Sequence, residues 1–372
     1  MKAWVAIAHG SLDIRSIEQV PGIQATIAVT PVQSAACNGP LAFGGAEAAL
    51  WQRLTAEGPV ADDLLTPDEQ RLVQEFVEVG IAWEDPGHAA IAKVPCAPWF
   101  PSFQHELGCA LVASVAQDLD IRCVIIKGPV LRAQGLRHRE HSGDIDVWVD
   151  EAGSAQLIAA LQTRGWVLRP SFLQQFPEIL HSYTLQPTVW SSEIDVHVRY
   201  PGAGSNRAEH AAAFEALWRE SEQMVFAGVA ARVPNRESHA VIQALTLTRP
   251  VPGTVTDPLG VNSAAADVLA KGGPRVPEVA RALGADAALR GALQAAFPQE
   301  EFDDRPPPPD WRWLAQPNPV YIYLQMLRAL PMKRWPIFLW RALTHDDGGS
   351  RTPGRMRRAT RQIFQRLSRE AA

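Results

Sequence analysis

The decapeptide HSGDIDVWVD, residues 141–150, decides the fold. Asp144 and Asp146 sit one residue apart inside an apolar run made of Ile145, Val147, Trp148 and Val149. In a β-strand successive side chains point to opposite faces. This spacing therefore puts both carboxylates on one face and Ile145, Val147 and Val149 on the other. Two like charges held side by side repel each other and resist ionisation unless something neutralises them. A lone D-x-D is common on exposed strand faces and carries little by itself. Its surroundings decide what it is for.

Upstream, QHELGCALVASVAQDLD (104–120) has the pattern of an amphipathic helix, and the β-branched run IRCVIIK (121–127) that of a buried strand. Gly128 and Pro129 end that strand, and Pro129 suits the first turn of a helix over VLRAQGL. Downstream, Asp150 is placed to cap a helix that runs to Arg164, where Gly165 supplies the stop. WVLRP and HSYTLQ read as further strands. In SEIDVHVR (192–199), Ile194, Val196 and Val198 alternate with Asp195, His197 and Arg199. A third aspartate, Asp195, thus sits in a later strand. Three converging carboxylates are tolerable around a divalent cation. Mg²⁺ takes hard oxygen ligands and is commonly shared with phosphates, and two such ions would assist an in-line displacement at phosphorus.

The segments IIKGPVLRAQGL, SGDIDVWVD, LQTRGW and EIDVHVR together resemble the uncharacterised nucleotidyltransferase family of the polymerase-beta-like superfamily. The likeness runs over about 104–300 and takes in VPNRESHAVIQAL and the AADVLAKGG and VARALGA pieces. It implies a Mg²⁺-dependent transferase, with one or two ions and a nucleoside triphosphate or other activated nucleotide as donor. Asp144, Asp146 and Asp195 match the metal-binding and catalytic carboxylates, with Asp195 at the base position. Lys127, Gly128, Gly143, Arg139, His197 and Arg199 are the residues expected to meet nucleotide or phosphate. The chain departs from the superfamily in having Gly128-Pro129 where Gly-Ser or Gly-Gly is usual, and Glu140 where relatives often carry arginine. Arg137, His138, Arg139 and His141 still make a basic approach to the strand.

The first part of the chain reads differently. AWVAIA, LDIRSI and ATIAVT are strand-like. GGAEAALWQRLTA (44–56) and TPDEQRLVQEFVEVG (66–80) are helical, the second with Thr66 as N-cap, Pro67 at the first helical position, Glu69 three residues on and Gly80 at the end. The stretch from GPLAFGG to GIAWED resembles the peptide-recognition domain of ribosomal-peptide biosynthesis, a winged helix with the fold of the pyrroloquinoline-quinone chaperone. That resemblance implies that a precursor or leader peptide binds residues 1–92 by adding a strand to a sheet edge. A winged helix used only for packing fits the same pattern.

Pro-rich stretches mark the joints: KVPCAPWFPSF (93–103), LTRPVPGTVTDPLG (247–260) and DDRPPPPDW (303–311). The expected architecture is α+β. It comprises a winged-helix-like module over 1–92, a linker over 93–103, a nucleotidyltransferase core with a mixed sheet over 104–202, and a mostly helical region over 203–372. The 372 residues suffice for several domains; 47% are hydrophobic and 20% charged, and the net charge is −5. This balance argues against a general grip on nucleic acid. Four scattered cysteines (Cys37, Cys96, Cys109, Cys123) form no C-x-x-C pair, which points to reduced thiols in a cytoplasmic protein rather than a zinc site. No apolar run approaches a membrane span. WPIFLWRAL (335–343) reads as a buried helix and the Arg-rich tail 351–369 as a solvated one. The preferred function is transfer of a nucleotidyl or related phosphorus-linked group to a ribosomally made peptide, as in lasso-type natural-product pathways. The alternatives are a catalytically idle peptide-binding scaffold and an RNA-directed nucleotidyltransferase toxin.

Overall fold

The computed structural model describes residues 2–17, 24–32, 39–84, 87–138, 143–251, 262–316 and 319–344. The N-terminal part holds β1 (Ala3–Ala6), β2 (Ser11–Asp13), β3 (Ile27–Val29), β4 (Leu41–Phe43), α1 (Gly45–Ala56), β5 (Val60–Ala61), α2 (Pro67–Glu78) and β6 (Ala82–Trp83). These strands make two small antiparallel sheets, β5-β1-β6 and β2-β3-β4. The capping box at Thr66 and Glu69 is present and starts α2. Trp51 and Phe76 pack edge-on beneath Phe43. The meander β2-β3-β4 is covered on both sides. Ile27 and Val29 face the core around Trp51, while Leu12 and Ala28 join the core of the central unit. Residues 93–102 form no regular element, although Cys96 bridges to Leu12.

The central unit follows with α3 (Phe103–Asp118), β7 (Cys123–Ile126), α4 (Pro129–Ala133), β8 (Asp144–Val149), α5 (Ser154–Gln162), β9 (Trp166–Leu168), β10 (Ser182–Pro187), β11 (Glu193–His197), α6 (Arg207–Glu220), β12 (Glu222–Phe226) and β13 (Val229–Val233). Seven strands join in the order β12-β13-β7-β8-β11-β10-β9. The pairs β13–β7 and β8–β11 are parallel and the other four antiparallel, so the sheet is mixed. Ile125, Ile145, Val147, Val149, Ile194 and Val196 bury one face against α3 and α5. Val124, Ile126 and Trp148 bury part of the other face. They meet α6 and a bundle of α7 (Arg236–Thr248), α8 (Ser263–Gly272), α9 (Val276–Ala282) and α10 (Asp286–Ala296). This α+β architecture extends past the boundary expected at 202. The hairpin β12–β13 lies in the region read as mostly helical, yet it completes one edge of the sheet.

Three further helices, α11 (Pro309–Leu314), α12 (Pro319–Ala329) and α13 (Trp335–Thr344), pack against 172–180 through Phe176, Leu330 and Phe338. The WPIFLWRAL helix is buried on one side only: Phe338 is 1% exposed and Trp340 63%. Among the described residues no helix is long and apolar enough to cross a membrane, and Cys96, Cys109 and Cys123 are free thiols. Cys37, most of the loop 247–260 and the Arg-rich tail lie outside the described residues.

Candidate metal centre

The site is built by register. Strand β11 runs parallel to β8, with Glu193 beside Asp144, Asp195 beside Asp146 and His197 beside Trp148. Residues two apart share a face, so Asp144, Asp146, Glu193, Asp195 and His197 all belong to one side of the sheet. That is the side on which Trp148 is buried beneath the helical bundle. Asp146, Asp195 and His197 each present a ligand atom, and those three atoms lie within 4.8 Å of one another. Asp146 and His197 are buried, Asp195 is half-buried and Asp144 is exposed at the strand's open end.

Each acid has a different environment. Burial works against the Asp146 carboxylate. His197 and Lys127 outweigh it and hold this carboxyl below its usual range. Lys127 Nζ lies 2.7 Å from Asp146 Oδ1 and His197 Nε2 lies 3.0 Å from the same oxygen. Asp195 Oδ1 accepts from Thr184 Oγ1 at 2.6 Å across the β10–β11 pair, which steadies that carboxylate. Asp144 is pushed up, first by burial and then by the charges of Asp195, Asp146 and Glu193. A carboxyl held up by its acidic neighbours is one that a cation would relax. Asp144 is not among the three residues whose ligand atoms converge; the oxygen donors of Asp146 and Asp195 suit Mg²⁺ or Mn²⁺, and the His197 imidazole suits Mn²⁺.

The turn after β7 is unusual. Lys127 and Gly128 both have φ of 64°, a left-handed conformation that costs a lysine about 1–2 kcal/mol. His239 on α7 stabilises it. The Lys127 N–H donates to His239 Nε2 at 2.7 Å. That fixes the tautomer, so Nδ1–H donates to Gln134 Oε1, also at 2.7 Å. Burial, with Arg137 and Lys127 adding, pushes the His239 pKa down to about 3, which keeps the ring neutral. Above Lys127, its ammonium sits 5.4 Å from the Tyr200 ring centre. Burial opposes the ammonium, but Tyr200 and Asp146 outweigh burial and keep its pKa above the ordinary value.

The residues expected to touch phosphate are distributed unevenly. Gly143 precedes β8 and is exposed, and among the described residues no atom lies within 4 Å of where a side chain would begin. The Gly128 carbonyl accepts from Arg137 Nη2 at 3.0 Å, and α4 behind it is only five residues long. The Lys127 ammonium is engaged with Asp146 rather than extended toward solvent. Arg199 does not share the Asp195 face as the alternation implied. The strand ends at His197, and the amides of Val198 and Arg199 both point to the His181 carbonyl, which breaks the alternation. Arg199 instead donates to the Glu178 carbonyl at 2.8 Å. Arg139, with Glu140, His141 and Ser142, lies outside the described residues. Thr184, His239, Gln134 and Tyr200 were missed from sequence. None of the four had a local signal: α7, which carries His239, also carries Arg236, Glu237, Ser238 and Gln243, so one more polar residue does not stand out. No family model matches the chain, and no curated protein matches it.

Proposed function

We propose that the protein is a divalent-metal-dependent nucleotidyltransferase. The observation that carries this reading is the in-register pairing of Asp146 and Asp195 on adjacent parallel strands, with Asp144 two residues before on the same face. Asp144, Asp146 and Asp195 would hold Mg²⁺. When bound, the metal neutralises triphosphate charge and makes the attacked phosphorus more electrophilic.

The chain's own residues do the rest. Thr184 occupies Asp195 Oδ1, which leaves Oδ2 to take the proton of an acceptor hydroxyl. The acceptor oxygen bonds to the α-phosphorus, the bond from that phosphorus to the bridging oxygen breaks, and pyrophosphate leaves with the electron pair. Lys127 and His197 keep Asp146 ionised throughout. We assign the central sheet to the nucleotidyltransferase fold and residues 1–92 to a winged-helix peptide-recognition module. The acceptor in this reading is a ribosomally made peptide. Support comes from the sequence resemblance of both parts and from the seating of β2-β3 directly on α3.

A second reading, an idle scaffold, draws on one observation: Asp146 Oδ1 is already shared by Lys127 and His197, and Pro129 lacks the amide that would face phosphate. The experiment is pyrophosphate release and peptide mass, measured with each nucleoside triphosphate, Mg²⁺ and a candidate precursor peptide. Release by wild type that disappears in Asp144→Asn/Asp146→Asn supports the enzyme. Peptide binding without turnover under every condition refutes it in favour of the scaffold.

A further inference from the structure

A cavity of about 690 Å³ lies past the other end of the central strands, walled by the segment around Glu178, the start of α6, and α11 and α12. Among the described residues, five arginines and three carboxylates line it. Two of those carboxylates are taken: Arg207 Nε lies 3.1 Å from Glu151 and Arg334 Nη1 3.0 Å from Glu178. The third, Asp310, accepts the Trp311 N–H at 2.9 Å. Arg199, Arg312 and Arg328 therefore have no carboxylate partner among the described residues. Arg199 is the most enclosed of the three. Its Nε is shut off from solvent without an acceptor, and burial lowers its pKa while Asp310 and Glu151 oppose the shift from a distance. A sequestered guanidinium N–H without an acceptor is a cost that a bound oxyanion would remove.

We infer that this cavity binds a small organic phosphate of nucleotide size, at a site separate from the carboxylate cluster. Three unmatched guanidinium groups exceed what one carboxylate can satisfy. A terminal phosphate brings close to two charges and three acceptor oxygens, the geometry that arginine forks match. The volume falls within the roughly 300–1,000 Å³ usual for small-molecule pockets, and the half-buried Trp313 lines the same cavity as an aromatic wall for a ring. Four residues separate Asp195 from Arg199 and five separate Asp146 from Glu151. Glu151 and Arg199 lie past the ends of β8 and β11, and none of Asp144, Asp146, Asp195 and His197 lines the cavity.

The test is isothermal titration of the full chain with adenosine monophosphate in excess EDTA, with citrate as the carboxylate control. Saturable binding is expected, weakened about tenfold or more in Arg312→Ala/Arg328→Ala and retained in Asp144→Asn/Asp195→Asn. Both arginines are exposed, and circular dichroism confirms that the double variant is folded. The inference is overturned by an absence of binding, by binding indifferent to the arginine pair, or by citrate binding where adenosine monophosphate does not.

Discussion

Removing the Asp146 carboxylate while Lys127 stays in place should damage the fold more than removing both charges. Asp146 is 7% exposed, and its Oδ1 lies 2.7 Å from a lysine nitrogen whose side chain is 18% exposed. At that separation and an effective dielectric of about 20, the gross attraction is about 6 kcal/mol. Desolvation offsets most of it, and stranding one partner of such a buried pair typically costs about 3–5 kcal/mol. Asp146→Ala is therefore expected to lose about 3–5 kcal/mol. Lys127→Met should lose under about 2 kcal/mol, because His197 still bonds the carboxylate and methionine bears the same left-handed strain. The double variant should fall short of the sum by about 2 kcal/mol. Urea unfolding followed by tryptophan fluorescence in EDTA measures all three. The pair's contribution should persist through neutral pH. It disappears as acid passes the depressed Asp146 value, below about 3.9, and as alkali passes the elevated Lys127 value, above about 10.4. A coupling under about 0.5 kcal/mol would refute the geometry.

His239→Leu orphans the Lys127 N–H and the Gln134 carbonyl, and should cost about 2–4 kcal/mol in the same unfolding assay. Mg²⁺ should raise the melting temperature less as the pH is lowered from about 7 into the carboxylate range near 4, because Asp144, held up by burial and by its acidic neighbours, binds a cation only once deprotonated. Asp195→Asn should abolish that increment, and a pH-independent shift would count against metal binding there. His9, buried against Ser114 and the Val32 carbonyl, has its pKa pushed down to about 4, by burial first. Its unfolded value is near 6.5. The unfolded chain therefore binds the extra proton, and stability should fall on acidification from about pH 6.5 to 4, by up to about 1.4 kcal/mol per unit. His9→Asn should flatten that slope, as read from urea midpoints across the range.

Local chemistry made part of this molecule legible in advance. The D-x-D spacing placed Asp144 and Asp146 on one face, and the capping pattern at Thr66 located α2. The pairing of Asp195 with Asp146 needed more, since parallel register between strands some fifty residues apart is set by tertiary packing. The alternation through Arg199 misled because a strand's end depends on its neighbours: the carbonyl of His181 draws two successive amides and bends the chain. Strand β12 went unread because a five-residue strand exposed along one face carries little apolar signal, and β13, VAARV, because two alanines and an arginine dilute it. His239 acts on a lysine 112 residues away, and no local pattern announces that. The arginine-lined cavity arises only when α11 and α12 return to 177–180.

The acidic face owes its existence to greasy residues behind it. Ile194 and Val196 fix the phase of β11, and a slip by a single position would turn Asp195 and His197 inward and the two aliphatics outward. The order of polar groups on one side of that ribbon is thus set from its reverse. Polar substitutions at 194 and 196, far from any ligand, would disarm the centre by letting the strand choose the wrong parity.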